Sequence, residues 1–104
     1  MTFQMVSSTS STVDPQAPTA FTYHQDGEVI WGTYTGDTVR VGRFVGRYRE
    51  GRITLRFVHE RNVIGDVIMG SADSVVEVRD DERLYLVEAF EKDGVAHQSV
   101  CVQV

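Results

Sequence analysis

The chain has very little cysteine and no long apolar run. Its single cysteine, Cys101, excludes an intramolecular disulfide and a cysteine-based zinc site, and the three histidines lack the spacing of a helical metal motif. The N-terminus, MTFQMVSSTSST, has neither the basic start nor the apolar core of a signal peptide. We therefore expect a cytoplasmic protein that spans no membrane and holds no metal or other cofactor.

Basic charge is also scarce. The sequence has 15 acidic against 10 basic residues, a formal charge of −5, and no local cluster of Lys and Arg. This charge has the wrong sign for a protein that binds a phosphate backbone, so nucleic acid is not expected as a partner. With 104 residues, the chain is predicted to form one domain, residues 1–104.

Helical periodicity is missing too, and short β-branched and aromatic runs instead alternate with turn signals. The spacing of roughly ten residues between turns predicts an all-β protein, an antiparallel up-and-down barrel of the lipocalin or calycin type with about 8–10 strands. The predicted strands are 20–25, 28–35, 38–49, 52–59, 66–72, 74–79, 83–92 and 95–103. Residues 1–6 form a possible first strand, and 7–19 are predicted as a loop or a flexible tail.

Two-residue hairpin loops predict which residues face the barrel interior. A loop at Gly36-Asp37 places Trp31 opposite Gly42, and a loop at Glu50-Gly51 places Gly42 opposite His59. Both hairpins then send the same set of residues inward. That set is Val29, Trp31, Thr33, Arg40, Gly42, Phe44, Gly46, Leu55, Phe57 and His59.

The last hairpin, with a turn at Asp93-Gly94, places a carboxylate in the same interior. It pairs Glu88 with Ser99, and it pairs the flanking Phe90 with His97. A carboxylate among apolar side chains must be paired, hydrated or used in function, because an isolated buried charge is costly. The sequence offers Arg40 as the natural counter-ion.

Several segments of the chain resemble a known family. GEVIWGTYTGDTVRVG, LRFVHERN, MGSADS, LYLVEAFEKDG and HQSV occur in the same order as in a family of small bacterial lipocalin-like barrel proteins often labelled N-acetylglutamate synthase. The resemblance implies a barrel fold and marks several positions of the family pattern. These positions are Trp31, Tyr34, Gly36, His59 and Glu88. The family's tryptophans after the Glu are replaced here by Phe90 and Glu91.

Acetyl transfer does not agree with the residues themselves. An acetyltransferase of the usual α/β type needs a helix that starts at a glycine-rich pyrophosphate loop, where backbone N–H groups face the cofactor. The nearest stretch, residues 43–48, lacks the last small residue and lies inside a predicted strand. We therefore expect no acetyl coenzyme.

Three functions remain open. The leading one is binding of a small apolar or amphipathic molecule in the barrel, because the predicted interior holds more polar groups than a packed core needs. The second is an enzyme of isomerase, cyclase or hydrolase type that uses Glu88 and His59 in that pocket. The predicted pocket residues are Trp31, Thr33, Arg40, Phe44, Phe57, His59, Glu88, Phe90, His97 and Ser99. The third is a homodimeric interaction module that associates through an outer apolar strip. That strip is predicted to contain Ile30, Tyr34, Val39, Val41 and Val45.

Overall fold

Eight strands form the fold in the computed structural model, which describes residues 1–9, 13, 16–62, 65–92 and 94–104. The strands are β1 Thr2–Ser8, β2 Ala20–Asp26, β3 Val29–Gly36, β4 Val39–Arg49, β5 Arg52–Arg61, β6 Val67–Val78, β7 Leu84–Lys92 and β8 Val95–Gln103. Each strand pairs antiparallel with the next, and β8 pairs with β1, so the sheet closes into a barrel. The predicted all-β antiparallel barrel is confirmed.

Two details of the predicted strands and loops are wrong, and parts of three predicted loops and turns lie outside the described residues. Strand β1 continues to Ser8, so the predicted loop 7–19 begins later than expected. The predicted strands 66–72 and 74–79 are one strand, β6, in which Ala72 and Ser74 both point inward. Parts of the loop 7–19, of the turn region 61–65 and of the turn Asp93-Gly94 lie outside the described residues.

Two of the three predicted hairpin registers are confirmed. The turn at Glu50-Gly51, where both residues have positive φ, aligns Phe44 with Phe57 and Gly42 with His59. In the last hairpin, Glu88 lies opposite Ser99 as predicted. The interior therefore receives one face of β4, β5, β7 and β8 in the predicted way.

The register predicted between β3 and β4 is wrong, because Gly36 pairs with Val39 and the two-residue turn is at Asp37-Thr38 rather than at Gly36-Asp37. Trp31 lies opposite Val45, and Tyr34 rather than Trp31 lies opposite Gly42. Both ladders of β4 shift register just after Val39, which marks a β-bulge around Arg40. One extra residue in a strand exchanges its two faces, because side chains alternate with a period of two.

The bulge reverses the predicted orientation of β3. Ile30 and Tyr34, expected on the outer strip, are buried, while Trp31 and Thr33, expected inside, are on the outer surface. Trp31 is 42% exposed and stacks on His24 outside the barrel. Arg40 also points outward, where it pairs with Glu60 at 2.8 Å.

Aromatic rings fill much of the interior because glycines on the neighbouring strands leave room for them. Gly42 lies directly opposite Tyr34, and a Cβ at Gly42 would come within 2.5 Å of the tyrosine ring. Gly32 stands in the same relation to Phe44, at 2.6 Å. These glycine–aromatic pairs allow a strongly curved wall that is lined by rings.

Candidate functional site

A cavity of about 80 Å³ lies inside the barrel. One water molecule needs about 10–15 Å³ of such a cavity, so this cavity has room for a small group of atoms. Its wall combines aromatic rings from five strands with a few polar groups. The residues that line it are Met5, Thr19, Phe21, Tyr23, Tyr34, Thr38, Val39, Phe44, Leu55, Phe57, His59, Ala72, Glu88 and Phe90.

Glu88 brings a carboxyl group to this cavity from β7, and it is only 7% exposed. Ser99 on β8 donates a hydrogen bond of 3.1 Å from Oγ to Glu88 Oε2. Ser74 lies opposite Glu88 on β6, and its hydroxyl is close enough to lower the pKa of the carboxyl group. Its buried Oγ nevertheless makes no hydrogen bond of good geometry among the described residues. The carboxyl group is therefore held among hydroxyl groups.

Burial dominates the acid–base behaviour of this group. Desolvation raises the pKa of Glu88 above its usual range, and the hydroxyls of Ser99, Ser74 and Tyr23 lower it only in part. In turn, burial and then the nearby Glu88 charge raise the pKa of Tyr23 well above its usual range. Tyr23 therefore stays protonated and serves as a hydrogen-bonding wall group.

A second polar group of the cavity joins β3 to β5. The Tyr34 hydroxyl lies 2.8 Å from His59 Nδ1, in a buried hydrogen bond. Burial raises the pKa of Tyr34 as well, so the hydroxyl keeps its proton. His59 is 8% exposed and stacks on Phe57 with ring centroids 6.0 Å apart.

Aromatic rings in contact with one another make up much of the remaining wall. Phe21 stacks on Tyr34 at 5.0 Å between centroids, and Tyr23 contacts Phe44 at 4.6 Å. On the other side, Phe57 meets Phe90 edge-on at 6.2 Å. Such a wall offers a ligand a large apolar contact area and several ring faces.

The β3–β4 turn forms part of the cavity rim. Asp37 accepts hydrogen bonds from Thr19, at 2.8 Å from the backbone N and 2.7 Å from Oγ1. Thr19 and Thr38 both line the cavity beside this turn. The rim is thus tied to the segment that enters β2.

The structure places nine of the ten predicted pocket residues in three groups. Phe44, Phe57, His59, Glu88 and Phe90 line the cavity. Ser99 is buried behind the wall against Glu88. The third group faces outward and consists of Trp31, Thr33 and Arg40, so the inward orientation predicted for these residues is wrong.

His97 is half-buried and does not line the cavity, although it lies opposite Phe90 as predicted. Its ring stacks on Phe90 with centroids 5.3 Å apart. Thr9 Oγ1 lies 3.4 Å from His97 Nδ1, which links this histidine to the end of β1. His97 therefore contacts a residue of the cavity wall, Phe90, from behind.

Sequence reasoning missed the rings that β2 and β3 contribute, namely Phe21, Tyr23 and Tyr34. The alternation of Phe21 and Tyr23 in AFTYHQD is the signal that identifies the inward face of β2. Tyr34 belonged to the recognised family pattern but was assigned to the outer face through the wrong register. Ser74 was missed because its strand was divided at that point.

Neither a reactive thiol nor a set of metal ligands is found at the cavity among the described residues. Burial raises the pKa of the Cys101 thiol, which keeps it protonated and unreactive. Within the described ranges, no group of three or more His, Cys, Asp or Glu side chains is placed to hold a metal ion. The same part of the chain contains no helix long and apolar enough to cross a membrane.

The sequence profile of the avidin-like protein family matches residues 1–104, which is the whole chain. No curated protein and no solved structure matched the chain with significance. The match agrees with the closed antiparallel barrel and its interior cavity.

Proposed function

Because the chain belongs to the avidin-like protein family, we propose that it is a small-molecule binding protein whose ligand occupies the barrel interior. Barrels of this family bind small ligands such as biotin. The observation that carries the proposal is the cavity, where Glu88, the Tyr34 hydroxyl and His59 bring polar groups to a wall made mostly of aromatic and aliphatic side chains. A barrel with a purely structural core has no need of a carboxyl group there, because its burial lowers stability.

The wall indicates an amphipathic ligand. Rings such as Phe21, Phe44 and Phe57 would pack against an apolar body. Glu88 on one strand and the Tyr34–His59 pair on two others would bind polar groups of the ligand and set its orientation.

A size-matched pair of variants tests this proposal. Ala72 is 4% exposed and lines the cavity, whereas Ala89 lies on the next strand with its side chain on the outer surface. A panel of small molecules that includes biotin is titrated into labelled protein, and NMR chemical shifts identify the residues contacted. We expect shifts at cavity residues, a loss of affinity of about tenfold or more in Ala72→Leu, and little change in Ala89→Leu. Shifts confined to the outer surface, or equal losses in both variants, contradict an interior site.

An enzyme that uses the same cavity is the second candidate. The observation in its favour is the raised pKa of Glu88, since a general acid at neutral pH needs such a shift. His59 is the other predicted group, and it already contacts Tyr34. Recovery of a bound ligand unchanged after long incubation supports binding, whereas conversion that disappears in Glu88→Gln and His59→Gln supports the enzyme.

We also propose a homodimer, on a surface that differs from the predicted strip. Val41 and Val45 are exposed as expected, but Ile30, Tyr34 and Val39 are buried. The exposed apolar side chains instead form an outer apolar strip across β3–β6. This strip consists of Trp31, Val45, Val58 and Met69, with Trp31 opposite Val45 and Val58 opposite Met69. The two pairs are diagonal neighbours on the β4–β5 ladder, where Arg56 lies opposite Val45 and Arg43 lies opposite Val58.

The strip is well exposed in the single chain. Val45 is 56% exposed and Met69 is 70% exposed. Apolar side chains that adjoin across neighbouring strands mark association surfaces, and a second copy of the same chain offers a matching one. The cytoplasmic location and the lack of a nucleic-acid partner stay predictions.

A further inference from the structure

Glu88 has no positively charged partner among the described residues of the cavity wall. The predicted counter-ion, Arg40, lies outside the barrel with 62% of its side chain exposed and pairs with Glu60. No Arg or Lys within the described ranges lines the cavity, and the one basic side chain there, His59, is bonded to Tyr34. A buried carboxylate in such a site must either keep a proton or receive a cation from outside.

The groups that do contact Glu88 stabilise a charge but do not neutralise it. Ser99 donates its hydroxyl proton to Oε2, and Tyr23 lies near enough to favour the charged carboxylate. These hydroxyls are donors without net charge. The wall is therefore organised around an anion whose counter-charge the described residues of the wall do not supply.

The aromatic wall points to the same kind of ligand. Six rings line the cavity together with Glu88, among them Tyr23, Phe44 and Phe57. The face of an aromatic ring carries a negative electrostatic potential that attracts ammonium and guanidinium groups. When it is ionised, Glu88 beside several aromatic rings gives the cavity a negative potential, which disfavours a ligand anion at this position.

We propose that the ligand is a small organic cation, a primary ammonium group on a short apolar or aromatic body, whose ammonium donates hydrogen bonds to Glu88. This inference rests on the proposed function, because it assumes that the ligand occupies the barrel interior. The apolar body packs against the rings, and the ammonium supplies the charge that Glu88 lacks.

Binding of an ammonium ion to a protonated Glu88 releases one proton from the carboxyl group. Affinity should therefore rise with pH by about tenfold per unit while Glu88 is protonated in the free protein, and level off above its pKa. The other titratable side chains that face Glu88 are Tyr23 from β2, Tyr34 from β3 and Cys101 from β8, whose pKa values are all raised. They keep their protons across the neutral range, so the pH dependence reports on Glu88.

His59 from β5 is the one remaining titratable group of the cavity wall within the described residues. The variant His59→Gln separates any contribution of its own from that of Glu88. The described wall residues of β1, β4 and β6, including Met5, Phe44 and Ala72, do not titrate. Persistence of the pH dependence in His59→Gln assigns it to Glu88.

Benzylamine and benzyl alcohol provide the test, because they share a ring and differ in the charge of the head group. Both are titrated calorimetrically into the whole protein at several pH values, in two buffers with different ionisation heats. We expect benzylamine to bind about tenfold or more tightly than benzyl alcohol and to release close to one proton below the pKa of Glu88. Glu88→Gln should remove this preference, because it weakens benzylamine binding more than benzyl alcohol binding.

Equal affinities for the two compounds, a preference for the alcohol, or benzylamine binding that is independent of pH would overturn the cation proposal. These measurements on the wild-type protein decide the matter even if Glu88→Gln does not fold. Suppose that benzylamine does not bind, while a neutral or anionic member of the panel shifts the resonances of cavity residues and loses affinity in Ala72→Leu. The cation proposal is then wrong and the binding function stands. If nothing enters the cavity, both are wrong.

Discussion

Ser99 Oγ donates a hydrogen bond of 3.1 Å to Glu88 Oε2 across the β7–β8 ladder. A hydroxyl rather than a guanidinium thus faces this buried carboxyl group. Because desolvation is the largest influence on Glu88, its pKa in the folded protein lies above the value in the unfolded chain. The folded protein therefore binds this proton more tightly than the unfolded chain does.

Glu88→Gln should change the pH dependence of stability. Because the folded protein binds this proton more tightly, the wild-type protein is, with respect to this group, most stable below the unfolded pKa of roughly 4.3 and loses stability as pH rises through the folded pKa, where the buried group ionises. Glutamine keeps an oxygen that accepts from Ser99 but does not ionise, so the variant should gain stability relative to wild type as pH rises. Urea unfolding between pH 4 and pH 8 measures this. Glu91→Gln, which removes an exposed carboxylate of the same strand, controls for the loss of one negative charge. A Glu88→Gln variant that is destabilised more at pH 8 than at pH 4 contradicts the prediction.

Tyr34→Phe should destabilise the fold. The substitution removes the hydroxyl that lies 2.8 Å from His59 Nδ1 inside the barrel, and loss of one partner of a buried hydrogen bond costs about 1–3 kcal/mol. Tyr85→Phe is the matched control, because its hydroxyl donates to Asp81 on the exposed surface. Chemical denaturation should show a clear loss for Tyr34→Phe and a smaller one for Tyr85→Phe. Equal losses would mean that the buried pair has no special weight.

Gly42→Ala should disturb the same tyrosine from the opposite strand. An alanine Cβ at Gly42 would lie within 2.5 Å of the Tyr34 ring, whose hydroxyl is held by His59. We expect a loss of about 1–3 kcal/mol, as for other overpacked interiors, and a lower melting temperature. Gly51→Ala is a different case, since nothing lies within 4 Å of a Cβ there and only the positive φ of 78° opposes it. NMR shifts of the His59 ring should change in Gly42→Ala and stay constant in Gly51→Ala.

Met69→Lys should weaken the proposed dimer. Met69 is 70% exposed in the outer apolar strip, and a lysine there places a charge in the proposed interface. Val78→Lys is the control, because Val78 has nearly the same exposure, 69%, at the far end of the same strand. Sedimentation equilibrium should show a dimer for wild type and Val78→Lys and a monomer of 11.7 kDa for Met69→Lys. A wild-type monomer at the highest concentration measured would remove this proposal.

Local signals in the sequence were sufficient for the barrel and for five of the ten predicted pocket residues, which do line the cavity. Turns about ten residues apart, with Gly at the positions of positive φ such as Gly51, limit each strand and its direction. In β5, in β7 and in β4 beyond its bulge, alternation then places Phe44, Phe57, His59 and Glu88 inside. The register of β4 with β5 follows from the turn at Glu50-Gly51, because a two-residue loop aligns its neighbours directly. The same reasoning failed between β3 and β4, where the turn is displaced and a bulge follows it.

Only the tertiary structure decided the orientation of β3 and the environment of Glu88. In VIWGTYTG both faces carry large apolar side chains, Trp31 on one and Tyr34 on the other, so hydrophobic alternation does not distinguish them. The fit of Tyr34 against Gly42, made possible by the bulge around Arg40, selects the inward face. The same bulge keeps Arg40 outside the barrel, so that Glu88 is left with hydroxyl partners. A one-residue shift exchanges the two faces of a strand, and only the closure of the barrel determines which face is enclosed.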